Sequence, residues 1–142
     1  MKKLVLLFSI LIFSCSTNTK IVENKNKGLY EVLSQQSQGG ASIQFYEILT
    51  EEAEIRMLLG DENLKNKISA DDMKNSTVLI LNMGEKPTGG FSITVEEVKE
   101  VSDKVIVTLK ENIPPSGAMV TMALTNPYTV VKINSKKKIE IR

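Results

Sequence analysis

Thr77-Val78-Leu79-Ile80-Leu81-Asn82-Met83 leads into Gly84-Glu85-Lys86-Pro87-Thr88-Gly89-Gly90 and then into Phe91-Ser92-Ile93-Thr94-Val95. In an extended chain, Val78 and Ile80 fall on one face and Leu79 and Leu81 on the other. Apolar residues on both faces predict an interior strand covered on two sides. The segment after it cannot continue as a strand. Pro87 has a fixed φ and biases Lys86 toward extended geometry, while Gly89 and Gly90 permit tight turns or close approach by another chain. Phe91, Ile93 and Val95 then alternate with Ser92 and Thr94, as in a half-buried strand.

Downstream, Glu96 to Val101 breaks the alternation and predicts a bulge. Ser102-Asp103 makes a turn, and Lys104 to Lys110 alternates with Val105, Val107 and Leu109 inward. The segments 91–101 and 104–110 are expected to form an antiparallel hairpin. Glu111-Asn112-Ile113-Pro114-Pro115-Ser116-Gly117 is a second rigid loop, because paired prolines do not occupy the middle of a strand. Ala118 to Leu124 reads as a returning strand, with Met119 and Met122 as core fillers. Asn126-Pro127 is a candidate kink or cis bond, and Tyr128 to Ile133 is a strand centred on Val130-Val131. Residues 135–142 read as a basic C-terminal tail.

Upstream, Gly28–Gln35 and Ser42–Leu49 read as two short strands that pair with each other. Thr50 followed by Glu51, Glu52 and Glu54 marks a helix start, and Ile55, Leu58 and Leu59 supply one apolar face up to Gly60. Residues 61–75 are polar, with Leu64, Ile68 and Met73 as inward anchors and a helical turn near Glu62–Asn66. Asp71 and Asp72 are adjacent carboxylates, but no other ligand at suitable spacing supports a metal there. The fold class is α+β: a mostly antiparallel sheet, or partly open sandwich or barrel, with one short helix packed on it.

The first residues carry a different message. Met1-Lys2-Lys3 is positive, Leu4 to Phe13 is nearly all apolar, and Ile12-Phe13-Ser14-Cys15 closes the run. It is too short to span a bilayer as a helix and has the length of a secretion signal. It resembles a bacterial lipoprotein signal with its lipobox. That resemblance implies removal of residues 1–14 and lipidation of Cys15, with diacylglycerol and palmitate anchoring the chain to a membrane. Residues 15–27 then form a polar, asparagine-rich tether ahead of a domain at 28–134. The polar residues after Cys15 include no acidic cluster, which favours an outer-membrane position facing the periplasm of a bacterial cell envelope.

The 142 residues suit one domain and include 18 basic and 17 acidic residues, no histidine and one cysteine. Without Lys2 and Lys3 the balance is 16 basic to 17 acidic, which gives no basic surface for nucleic acid. No histidine means no His-based triad and none of the usual zinc sites. Ser92, Ser116 and Thr88 are hydroxyl nucleophile types with only a lysine such as Lys86 to activate them. No enzyme activity and no cofactor are expected.

Gly84-Glu85-Lys86-Pro87-Thr88-Gly89-Gly90-Phe91-Ser92-Ile93, taken with Pro114-Pro115-Ser116-Gly117-Ala118-Met119 and Asn126-Pro127-Tyr128, resembles the C-terminal domain of the protease complex subunit PrcB family. The likeness extends over most of residues 28–134, with Phe91 where the family often has Tyr and Asp72-Met73 where it usually has Asp-Phe. It implies a non-catalytic lipoprotein domain, named for a subunit that assists an exported subtilisin-like protease complex. Pro87 to Phe91 also looks like a loop of chagasin-type cysteine-protease inhibitors.

From the residues themselves, the first loop either registers two strands or presents backbone N–H groups to a ligand. The binding reading takes Glu85, Lys86, Pro87, Thr88, Gly89, Gly90 and Phe91, with Pro114, Pro115 and Gly117 on the second loop. Preordered loops lose little entropy on binding. The expected partner is an exported protease or another envelope protein. The alternatives are a protease inhibitor using the same two loops and a structural envelope lipoprotein with no protease partner.

Overall fold

The computed structural model describes residues 28–142. The signal segment 1–14, the lipidation site Cys15 and the tether 15–27 lie outside the described residues. Among the described residues seven strands and two short α-helices follow one another: β1 (Tyr30–Gln36), β2 (Gln44–Leu49), α1 (Glu52–Met57), α2 (Ala70–Asn75), β3 (Thr77–Met83), β4 (Ser92–Glu100), β5 (Lys104–Asn112), β6 (Tyr128–Ile133) and β7 (Lys138–Ile141). A single 3-10 turn, Leu58–Gly60, extends α1. The α+β architecture expected from the sequence is what forms, with its sheets open and not closed into a barrel.

One sheet has the order β1-β6-β3-β2 and is antiparallel throughout. The other has the order β4-β5-β7, with β4 antiparallel and β7 parallel to β5. β3 is the interior strand that its two-faced apolar pattern requires. Leu79, Leu81 and Met83 join Val131, Ile133, Ile93, Val95 and Val107 in the core between the sheets. Val78 and Val130 point the other way and pack with Leu33, Ile55, Leu64, Ile68 and Met73 under the helical segment. The β4–β5 hairpin forms as expected, and its register shifts between Val95 and Glu97, where the alternation of the sequence breaks.

Both helices are held by their ends, as six-residue helices must be. At α1 the cap is Glu51, one residue later than the threonine expected, and Glu54 reaches back to the N–H groups of Glu51 and Thr50. At α2 the Ser69 hydroxyl accepts from the Asp72 N–H and the Asp72 carboxylate accepts from the Ser69 N–H. This reciprocal cap accounts for a second helix in a stretch that reads as a polar link.

Four expectations need correction. β1 does not pair with β2; the two lie at opposite edges of their sheet. The strands most apolar on both faces, β3 and β6, take the centre, where both faces are covered. Residues 135–142 are not a tail beyond the domain. Lys138–Ile141 pairs with β5, Ile139 is buried in the inter-sheet core, and the Lys136 ammonium donates to the Met73 and Thr50 carbonyls. Ala118–Leu124 is not a strand, and Met119 and Met122 stand exposed on the surface, not in the core. No cis peptide occurs among the described residues, so the Asn126–Pro127 bond is trans.

Candidate functional site

The two rigid loops meet. Residues 84–90 run alongside 118–125 in a short, interrupted ladder. The Lys86 N–H donates to the Thr125 carbonyl at 2.8 Å, the Thr125 N–H donates back to the Lys86 carbonyl at 2.9 Å, and the Gly89 N–H donates to the Thr121 carbonyl at 2.9 Å. Between them Pro87 has no N–H to offer, which is why this pairing stays a loop. The Thr125 hydroxyl donates to the Thr88 carbonyl at 2.8 Å, and the Asn112 amide donates to the Gly90 carbonyl at 2.9 Å.

The glycines are placed by space and by φ. Gly90 has φ +88°, and a Cβ there would stand 3.1 Å from Val120 Cγ1 and 3.3 Å from Pro114 Cβ. The Gly90 backbone thus runs close beside Pro114, which places the Pro87–Phe91 loop against the Pro114–Gly117 loop. Gly117 has φ +81°, with open space around its absent side chain, so its role is conformational. A Cβ on buried Gly89 would come 2.2 Å from the Thr121 hydroxyl oxygen. That oxygen ends a side chain that can rotate. Gly89→Ala is therefore expected to turn the Thr121 side chain aside and cost no more than about 1 kcal/mol of stability. Thermal unfolding of the variant with and without Thr121→Ala checks this: the double variant should recover most of the loss.

The remaining residues singled out from the sequence take distinct positions. Glu85, Pro87, Pro115 and Gly117 are exposed, while Lys86, Thr88 and Pro114 are half-buried. Phe91 is half-buried against the inter-sheet core, and the Lys86 ammonium lies 5.9 Å from its ring centroid, within cation–π range. The Thr88 hydroxyl donates to the neighbouring Gly89 carbonyl at 3.1 Å. The aromatic ring thus anchors the loop while Pro87 and Glu85 face outward.

The sequence reading missed Asn112, Thr121 and Thr125, which hold the loops by hydrogen bonds. It also missed an exposed apolar set around them: Ile113, Met119, Met122 and Leu124. At the base, Asn82 of β3 accepts from the Ala41 N–H at 3.0 Å and donates to the Ala41 and Ile43 carbonyls, tying the 37–43 connection to the same end of the sheet.

The carboxylates do other work. Asp72 faces Lys132, and Asp71 accepts from the Asn75 amide. Among the described residues no three His, Cys, Asp or Glu side chains gather where a metal ion could sit, and no helix is long and apolar enough to cross a membrane.

No solved structure matches this chain. An uncharacterized protein of Methanocaldococcus jannaschii is 31% identical over 68 residues, which are 48% of this chain; the chain spans 41% of the length of that relative. Residues 77–134, which run from β3 to just past β6 and contain both loops and the strands that carry them, match the family described as PrcB C-terminal.

Proposed function

We propose that this chain is a non-catalytic accessory module of the cell envelope, held by lipid on Cys15 at the outer membrane facing the periplasm. In this reading it binds an exported protein, such as a subunit of a protease complex, through its paired loops. The observation that carries it is the surface at 113–124. Ile113, Met119, Met122 and Leu124 are exposed on a segment fastened by hydrogen bonds to the Pro87–Gly90 loop. Unbranched, polarisable methionine on a surface suits contact with a partner, and the fastened backbone lowers the entropy lost on docking. The match of residues 77–134 to the PrcB C-terminal family supports the same reading.

A photo-crosslinking residue at Met119 in the native cell is expected to capture one dominant exported protein, and one at exposed Glu62 none. Met119→Gln with Met122→Gln should abolish the capture read from Thr88 while leaving the unfolding midpoint unchanged. Equal capture from Glu62, or capture unaffected by the double substitution, would remove the loop surface from the reading. Incorporation of labelled palmitate, lost in Cys15→Ser, tests the anchor separately. The inhibitor reading gains from one observation, that both loops lie together at one end of the fold. Activity of the captured protease with and without the purified chain separates assistance from inhibition.

A further inference from the structure

The sheets have four edges, and three are blunted in the ways that stop strands from pairing with other chains. β1 carries a register break between Val32 and Ser34, and the Lys67 ammonium occupies the Leu33 carbonyl at 2.5 Å. β4 carries the break between Val95 and Glu97. β7 is only four residues long, and its Glu140 is ion-paired to both Lys104 and Arg142. β2 has none of these protections. Its six residues pair with β3 in unbroken register, and among the described residues its other flank carries no strand. Phe45, Tyr46 and Ile48 along it are exposed, as is Ile43 just before it.

The surroundings of this edge have both shape and charge. Phe45, Glu47 and Leu49 share the helix-covered face of the sheet with Ile80, their neighbour on β3. Two cavities follow one another on that face, of about 220 Å³ beside Phe45 and about 190 Å³ beside Glu47, and Leu58 and Ile80 line both. Glu54 joins Glu47 at the second. On the opposite face, Glu111 accepts from the Tyr46 hydroxyl at 3.1 Å and the Gln44 amide at 3.2 Å. Among the described residues, none of Glu47, Glu54 and Glu111 is ion-paired.

We propose that the edge of β2 takes an extended segment of a partner protein as an added strand, and that this segment alternates apolar with lysine or arginine residues. Main-chain hydrogen bonds to the open flank would supply affinity, and alternate side chains would supply specificity. On the helix face its side chains reach the two apolar cavities past Glu47 and Glu54; on the other they meet Tyr46, Ile48 and Glu111. Basic residues complement these carboxylates, whereas pairing β2 with a second copy of itself doubles the acidic groups along the seam and neutralises none. The site is separate from the paired loops and does not depend on their contact with a partner.

The test uses the full chain in detergent and an eight-residue peptide of alternating valine and lysine, read by amide exchange and by titration. The expected result is protection of amides within residues 44–49, weakened by added salt, with Glu47→Lys raising the peptide Kd about ten-fold. The same peptide N-methylated at alternate amides, and a valine–glutamate peptide, should not bind. Should Glu47→Lys fail to fold, Glu111→Lys on the other face replaces it. Equal binding of the N-methylated peptide, protection elsewhere in the chain, an unchanged Kd in the charge variant, or no binding at millimolar peptide would each overturn the proposal. A doubled mass in sedimentation without peptide, with the same amides protected, would overturn it in favour of a second copy. Loss of Met119 crosslinking leaves this site untouched, so the two readings fail separately.

Discussion

Lys132→Ala is expected to lower the free energy of unfolding by about 3 kcal/mol, a large part of the stability of a domain this size. Lys132 lies on β6, on the face covered by the helical segment, and is 9% exposed. Its ammonium is 2.9 Å from Asp72 Oδ1 and 3.1 Å from Glu31 Oε2. Asp72 in turn uses Oδ2 to accept from the Ser69 N–H at 2.8 Å and the Ser69 hydroxyl at 2.7 Å. One carboxylate therefore closes the cap of α2 and fastens that helix to the sheet. Truncating the lysine leaves a largely buried carboxylate without its counter-charge. Lys132→Met should lose less, because it keeps the packing of the alkyl stem. Adding Asp72→Asn to Lys132→Met should recover part of the loss, since no buried carboxylate is then left uncompensated and Glu31 stands exposed to solvent. Urea unfolding, with the midpoint shifted and the slope unchanged, measures each step. A loss below about 0.5 kcal/mol for Lys132→Ala would place the pair among inert surface ion pairs.

The same network fixes a pH dependence. Burial pushes the Asp72 carboxyl up, but the Ser69 N–H, the Lys132 ammonium and the Ser69 hydroxyl outweigh it and hold the pKa below the ordinary value. A folded-state pKa below the unfolded one contributes stability above the unfolded pKa of about 4, and that stability is lost as pH falls through the folded value. For Lys132 burial pushes the ammonium pKa down, but its bonds to Asp72 and Glu31 outweigh this and raise it. That contribution is fully present below the unfolded lysine pKa of about 10.4 and is lost as pH rises through the folded value. The pair's contribution should therefore be level between roughly pH 4 and pH 10, and Asp72→Asn should flatten the fall on the acid side.

Residues whose chemistry is local were legible in the sequence. Thr77–Met83 is apolar on both faces, so it had to be interior, and it is buried along nearly its whole length. The β4–β5 hairpin follows from alternation around Ser102-Asp103, and the break at Glu96 shows as a lost phase. What was not legible depends on partners distant in sequence. Nothing in β1 or β2 states that β6 and β3 stand between them. Lysines at 136–138 mask the alternation of Ile139 and Ile141, whose burial exists only because β5 offers an edge. Ala118–Leu124 has strand-like composition, but its neighbour is a Pro-Gly loop that cannot complete a ladder, so the methionines turn outward. For the site, Pro87, Gly89 and Gly90 could be singled out by composition, whereas Asn112, Thr121 and Thr125 acquire their role only when the two loops come together. The reciprocal cap Ser69-x-x-Asp72 was readable, yet it stood in a polar stretch where no apolar periodicity pointed to a helix.

Gly40→Ala is expected to destabilise the fold by about 3 kcal/mol, for reasons of space and not of φ. A Cβ at Gly40 would stand 2.2 Å from Asn82 Oδ1 and 2.6 Å from the Asn126 carbonyl oxygen. The second atom is backbone and cannot swing aside. It also accepts the Gly40 N–H at 2.9 Å, so relieving the overlap breaks that bond. Displacing Asn82, which is 1% exposed, breaks its bonds to the Ala41 N–H and carbonyl. Loss of about three hydrogen bonds at about 1 kcal/mol each gives the magnitude. Gly60, which has nothing within 4 Å of an added Cβ and no positive φ, is the control, and Gly60→Ala should be neutral or slightly stabilising. Asn82→Ala removes one of the two obstructing atoms and two of the three bonds at stake. The double variant Gly40→Ala with Asn82→Ala should therefore lose clearly less than the sum of the singles. Strict additivity would mean that the connection between β1 and β2 relaxes without disturbing Asn82, and that the loop end of the sheet is not held through this residue.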